Sequence, residues 1–125
     1  MNNINYLIYH NPRCSKSRES LELLKLKNQN FKIIEYLKVK IDKPVLKKTI
    51  QCLNTNFYDV IRDKEIIFKN LKINKLKLTI DEIVDLINVS PILLQRPLIT
   101  KYIGCEPIKT IISRPSERTL SLISY

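Results

Sequence analysis

The sequence predicts an α/β fold in which a βαβ unit is followed by a helical insertion and then by a closing ββα unit. Three observations predict it. Two short apolar runs, Asn5 to Tyr9 and Phe31 to Tyr36, are separated by a stretch with helical periodicity. From Asp42 to about residue 90, apolar residues recur at helical rather than alternating spacing. Two further apolar runs then flank Gly104, the only glycine in the chain.

Each element has a local reason. Asn5 to Tyr9 is nearly continuous in apolar character and stops at His10-Asn11-Pro12, as a buried strand entering a loop does. From Ser17 to about Gln29 the leucines at 21, 23, 24 and 26 form a broad apolar side, with Arg18, Glu19, Glu22, Lys25 and Lys27 largely opposite. Phe31 to Tyr36 follows as a strand parallel to the first. In the insertion, Asp42 is the expected N-cap of a helix with Pro44 in its first turn and Leu46, Ile50 and Leu53 as its stripe. Thr79 and Glu82 have capping-box spacing, with Leu78 and Ile83 placed as the hydrophobic staple. Tyr58 to Leu71 reads as helical. Leu98 to Ile103 and Ile108 to Ile112, joined through Gly104-Cys105-Glu106-Pro107, read as an antiparallel hairpin. A last helix starts near Pro115 and carries Leu120 and Ile123.

With 125 residues, 44% of them hydrophobic, residues 1–125 are expected to form one domain around one core, with the insertion at about 42–90. No run approaches the ~18 apolar residues of a membrane span, and the start lacks a basic region followed by a small-residue cleavage site. The expected location is the cytoplasm. Three scattered cysteines, Cys14, Cys52 and Cys105, do not make a disulfide framework, so at least one free thiol is expected. Lys+Arg 22 against Asp+Glu 12 gives a net charge of +10. The lysines are spread along the chain and not interleaved with aromatics, which favours a solvated basic surface over nucleic-acid binding. A single glycine excludes phosphate-binding glycine loops, and His10 and Cys14 lack the further clustered ligands a metal site needs.

The chemistry concentrates at His10-Asn11-Pro12-Arg13-Cys14-Ser15-Lys16-Ser17-Arg18, where a strand ends and a helix begins. A thiol at a helix N-terminus meets the positive end of the macrodipole and unpaired amides, and Arg13, Lys16 and Arg18 are near in sequence, so Cys14 is expected to be a reactive thiolate. The same amides suit an oxyanion beside it. No second cysteine follows at Cys-x-x-Cys spacing, so any adduct on Cys14 needs an external thiol to resolve it. Cys52 reads as a packing residue and Cys105 as a turn residue without a resolving role.

Four motifs in order then resemble the glutaredoxin-linked arsenate reductases, a helical-insertion branch of the thioredoxin fold. They are YHNPRCSKSRESLELL, Arg62 in the insert, Ile92-Leu93-Leu94-Gln95-Arg96-Pro97-Leu98-Ile99, and Ser113-Arg114-Pro115-Ser116-Glu117. The Cys-Ser-Lys-Ser-Arg run is most similar to the arsenate-reductase-like bacterial branch. The resemblance implies that Cys14 attacks arsenate or a similar oxyanion, that glutathione is co-substrate with no bound cofactor, and that glutaredoxin regenerates the thiol. It implies Arg62, Arg96 and Arg114 as an oxyanion clamp, His10 and Ser17 as supporting groups, a cis bond between Arg96 and Pro97, and a monomeric protein. A glutathione-dependent thiol oxidoreductase acting on another substrate fits the sequence equally, whereas a regulator like the Spx branch, which binds RNA polymerase, fits less well because its Cys-x-x-Cys switch is absent here.

Overall fold

The computed structural model describes residues 3–125. The expectation about the chain's start therefore touches Met1 and Asn2, which lie outside the described residues. Four strands form one sheet in the order β2-β1-β3-β4: β1 Ile4–Tyr9, β2 Phe31–Ile34, β3 Leu98–Ile103 and β4 Glu106–Ile112. β1 and β2 are parallel and joined by α1 (Ser15–Leu26), whereas β3 runs antiparallel to both β1 and β4. Between β2 and β3 lie α2 (Lys43–Gln51), α3 (Ile66–Leu71) and α4 (Ile80–Val89), and α5 (Arg118–Ser124) closes the chain. This is the thioredoxin-like order with a helical insertion.

Alternation along the strands splits the core between the two sheet faces. Leu7, Tyr9 and Leu98 face α2 and α4, where Leu46, Ile50, Ile83 and Ile87 are fully covered. Tyr6, Ile8, Ile99 and Ile111 face the other way, against Leu21 and Leu24 of α1 and Leu122 of α5. Each fully buried Leu or Ile contributes roughly 1.5 to 3 kcal/mol by leaving water.

Asp42 accepts from the Val45 N–H at 3.1 Å, and Thr79 with Glu82 forms a complete capping box, both as read from sequence. Elsewhere the boundaries move. α1 starts two residues earlier and stops at Leu26, because Asn28 takes a left-handed conformation (φ 52°) that ends the helix. Its buried stripe is Ser17, Ser20, Leu21 and Leu24, while Leu26 is 73% exposed. The stretch read as helical at Tyr58 to Leu71 divides into a 3-10 turn (Phe57–Val60), a bridge from Ile61 to Leu94, and α3. The hairpin turn is only Gly104-Cys105, with φ +61° at Gly104, and Glu106 and Pro107 already belong to β4. Pro107 is tolerated there because β4 is an edge strand. α5 begins three residues past Pro115 and anchors through Leu122 rather than Leu120. Lys101 is buried because its Nζ donates to the Ile123 and Leu122 carbonyls at 3.0 and 3.3 Å, at the end of α5.

Candidate active site

The loop after β1 is built by its own side chains. The Cys14 N–H donates to the Asn11 carbonyl at 2.9 Å, a turn with Pro12 at its second position, and Asn11 Oδ1 accepts from the Arg13 N–H at 3.0 Å. This turn delivers Cys14, half-buried and with extended backbone, as the N-cap of α1. Burial by itself would raise the thiol's pKa. The Ser17 N–H, the Arg96 guanidinium and the Lys16 N–H outweigh it, and the net shift is downward. No side-chain cap bond is closed in the resting geometry, so these amides remain open to negative charge.

The cations at the sulfur are not the three near it in sequence. Lys16 pairs with Glu19, Arg18 donates to the Pro12 carbonyl, and Arg13 is exposed. The partners of Lys16 and Arg18 draw them elsewhere, and distant segments supply the charge instead. Arg114 Nη1 lies 3.9 Å from Cys14 Sγ and is fixed by a 2.9 Å bond to the Arg96 carbonyl. Arg96 precedes a cis bond to Pro97, where the pairing of Tyr9 with Leu98 brings the start of β3 beside the end of β1. A second cis bond, Arg114–Pro115, was not foreseen.

Arg62 is held differently. Its N–H donates to the Leu93 carbonyl at 2.8 Å and the Gln95 N–H donates to the Val60 carbonyl at 2.7 Å, so the insert is stitched to the segment carrying Arg96. Its guanidinium pairs with Glu65 at 3.3 Å and faces Arg114 and Gln95 across a cleft of about 250 Å³. Arg62 thus sits across this cleft from Arg114, without a contact to the sulfur. One buried guanidinium nitrogen on each of Arg62 and Arg96 has no hydrogen-bond partner within the protein. Buried donors of this kind suit the acceptor oxygens of an anion.

His10 and Ser17 lie behind the loop. His10 Nδ1 and Ser17 Oγ are 2.6 Å apart, and the same hydroxyl accepts from the Asn11 N–H at 3.1 Å. Burial, reinforced by Arg18 and Lys25 against the pull of Glu35, lowers the His10 pKa and disfavours the charged ring. It meets the loop through Ser17, whose hydroxyl also holds the Asn11 N–H. Ser17 is buried in the first turn and is not the helix cap; its backbone amide, not its hydroxyl, faces the sulfur. Sequence reasoning missed Tyr36. Its phenol is fully buried near Arg96 and Cys14, burial pushes its pKa up to about 12, and its hydroxyl has no partner. β2 stops at Ile34, two residues short of the sequence reading, and an aromatic in the turn after a strand carries no sequence signal that separates this from ordinary packing.

The other cysteines are remote. Five residue steps along β1 separate the pairs Tyr9–Leu98 and Ile4–Ile103, about 17 Å at strand rise, so Cys105 lies at the far end of the sheet from Cys14. Cys52 caps the end of α2, its Sγ donating to the Pro107 carbonyl at 3.5 Å, and burial raises its pKa. A larger hollow of about 800 Å³, between α1 and the start of α5, is lined by His10, Pro12 and Ser15 of the Cys14 loop together with Leu21, Leu23 and Glu117, and by none of the three arginines. The smaller cleft holds Arg62 and Arg114, and Arg114 connects it to the Cys14 sulfur.

The fold and site define a thioredoxin-like protein with a helical insert and a cysteine at the start of α1, flanked by arginines from two later segments. Residues 9–122 match the ArsC family, and the chain belongs to that family. It is 33% identical over 117 residues to the uncharacterized protein YfgD of Escherichia coli K12, covering 93% of this chain and 94% of that one. It is 30% identical over 119 residues to an arsenate reductase of the same bacterium, covering 95% of this chain and 81% of that one. Among solved structures, an arsenate reductase from Vibrio cholerae superposes with a TM-score of 0.79 at 31% identity, covering 95% of this chain and 98% of that one.

Proposed function

We propose that the protein reduces arsenate to arsenite in a cycle driven by glutathione and completed by glutaredoxin. The observation that carries this reading is the half-buried Cys14 thiol at the start of α1 with Arg114 Nη1 3.9 Å from its sulfur. The Cys14 thiolate attacks arsenic and displaces an oxygen as water, giving a sulfur–arsenic(V) bond. Arg96 and Arg114 beside the sulfur, and Arg62 across the cleft, offset the charge that gathers as two anions meet. Glutathione thiolate then attacks the Cys14 sulfur. The sulfur–arsenic bond breaks with its electron pair passing to arsenic, which leaves as arsenite, and Cys14 is left in a disulfide with glutathione. Glutaredoxin thiolate takes the glutathione and returns the Cys14 thiolate; a second glutathione releases glutathione disulfide. The cycle belongs in a reducing cytoplasm, where glutathione and free cysteines persist.

The test is turnover of arsenate with glutathione and glutaredoxin, coupled to glutathione reductase and followed through NADPH oxidation. Arsenate-dependent oxidation that disappears in Cys14→Ser is the expected result. Oxidation seen with a small disulfide but not with arsenate would replace this reading with a glutathione-dependent thiol oxidoreductase on another substrate.

A further inference from the structure

Away from Cys14 and its arginines, exposed apolar side chains are concentrated in α3 and the turn after it. Ile66, Ile67, Leu71, Ile73 and Leu76 are 41–72% exposed, and Phe68 is the only buried residue of α3. Scattered surface hydrophobes need no explanation, but five within eleven residues form a patch of the kind that marks an interaction site. The same segment is basic. Its acids are already engaged, Asp63 with Lys75 and Glu65 with Arg62, both at 3.3 Å. Lys64, Lys69, Lys72 and Lys77 pair with no carboxylate among the described residues.

Position links this patch to the chemistry. Phe68, Lys69, Ile73 and Leu76 line a groove of about 380 Å³ that shares Asp63 and Lys75 with the arginine cleft. That cleft contains Arg114, whose guanidinium reaches the Cys14 sulfur. The groove is therefore the outer rim of the proposed active site.

We propose that this basic, apolar rim is the docking surface for an acidic-faced protein thiol, the reductant that regenerates Cys14. The inference rests on the proposed function, which leaves Cys14 joined to glutathione. In the exchange, the partner's thiolate attacks the glutathione sulfur, the disulfide breaks, and its electron pair leaves on Cys14. A tripeptide needs no surface for this. A protein has to lay a face beside the sulfur to bring its thiol into line, about 600 Å² or less for a transient redox encounter. Exposed isoleucines and leucines supply the dry centre of such a contact, and unpaired lysines steer an acidic partner to it. A lipid surface fits less well, because it would cover the mouth of the cleft that the oxyanion must enter.

The test uses the full chain with Cys14 converted beforehand to its glutathione disulfide by glutathione disulfide, so that it does not depend on arsenate. Glutaredoxin is added, and its kcat/KM for removing glutathione is measured for wild type, for Lys72→Glu/Leu76→Ser, and for Lys27→Glu, a charge reversal past the far end of α1. The rim variant is expected to lose about tenfold through a raised KM, with a flatter dependence on salt, while the Lys27 control stays near wild type. Equal kcat/KM in all three proteins overturns the docking surface. So does unchanged glutaredoxin kinetics combined with loss of sedimentation on phosphatidylserine vesicles, which would assign the rim to a membrane. Failure of arsenate turnover with normal glutaredoxin kinetics would strike the reductase reading and leave the surface standing.

Discussion

α1 and α4 begin in opposite ways. At α4 the Thr79 hydroxyl accepts from the Glu82 N–H at 3.1 Å and the Glu82 carboxylate accepts from the Thr79 N–H at 2.9 Å, so the helix satisfies its own first turn. At α1 the N-cap is a cysteine that closes no side-chain cap bond, and the first turn holds no acidic residue. One start is finished and the other is left open to an anion. The difference separates stability from chemistry: the same orphan amides stabilise a fold when a hydroxyl and carboxylate take them, and stabilise a thiolate or an oxyanion when nothing does.

The largest effect follows from removing the group that uses the open start. Cys14→Ser should reduce arsenate turnover by about 10⁴-fold or more, because a serine hydroxyl remains protonated and forms no readily reduced bond to arsenic. Its thermal melt should be close to wild type, since serine is itself a good N-cap. The coupled assay beside a melt checks both. Residual turnover carried by Cys52 or Cys105 would overturn the single-cysteine mechanism.

Next come the arginines that complete the open start. Arg96→Ala and Arg114→Ala should each cost about 10²–10³ in kcat, roughly 2.7–4 kcal/mol, if each donates to the developing oxyanion. Arg62→Ala sharpens the comparison. Its guanidinium pairs with Glu65 and touches no sulfur, so its loss should slow arsenate turnover while leaving the rate of iodoacetamide alkylation at Cys14 unchanged. Arg96→Ala should slow both, because that guanidinium favours the thiolate itself. Wild-type alkylation profiles in all three variants would mean that no arginine acts on the thiol.

The closed start predicts the reverse pattern. Thr79→Ala should destabilise the fold by about 1 kcal/mol, seen as a drop of a few degrees in Tm, and leave kcat unchanged. A kcat loss there would show that the insert transmits strain to Arg62.

Much of the fold was legible because its signals are local. The capping box, the Asp42 cap and the run lengths of β1 and β3 each depend on residues within a few positions of one another. Boundaries failed where a single backbone conformation decided them, as at Asn28, or where a tertiary bridge did, as at Ile61. The site was legible only in part. The spacing around Cys14 pointed to a helix start, but it also pointed to Arg13, Lys16 and Arg18 as the activating cations, and the chain turns them elsewhere. Arg96 and Arg114 reach the sulfur through antiparallel pairing across β1, β3 and β4, which no local pattern encodes. The buried Lys101 and the buried phenol of Tyr36 look in sequence like any strand lysine and any core aromatic.

The smallest expected effect is the contribution of the open start to stability, and its sign follows from linkage. Amides and Arg96 outweigh burial and hold the Cys14 thiol below its ordinary value of 9.0 in the folded chain, while the unfolded chain keeps that ordinary value. The thiolate's stabilising contribution is therefore complete above about pH 9, where both states are ionised. It is lost as pH falls through the depressed folded value, below which both states are protonated. The quantity to measure is the difference in unfolding free energy between wild type and Cys14→Ser, from urea titrations at several pH values. Taking the difference cancels the tyrosines and lysines that titrate in the same range. The difference should grow in favour of wild type as pH rises and then level off, and it should be small, because a half-exposed sulfur is screened by water. In an Arg96→Ala background the pH dependence should flatten. A difference independent of pH would mean that the folded thiol titrates like a free one, and the contrast between the two helix starts would then have no electrostatic content.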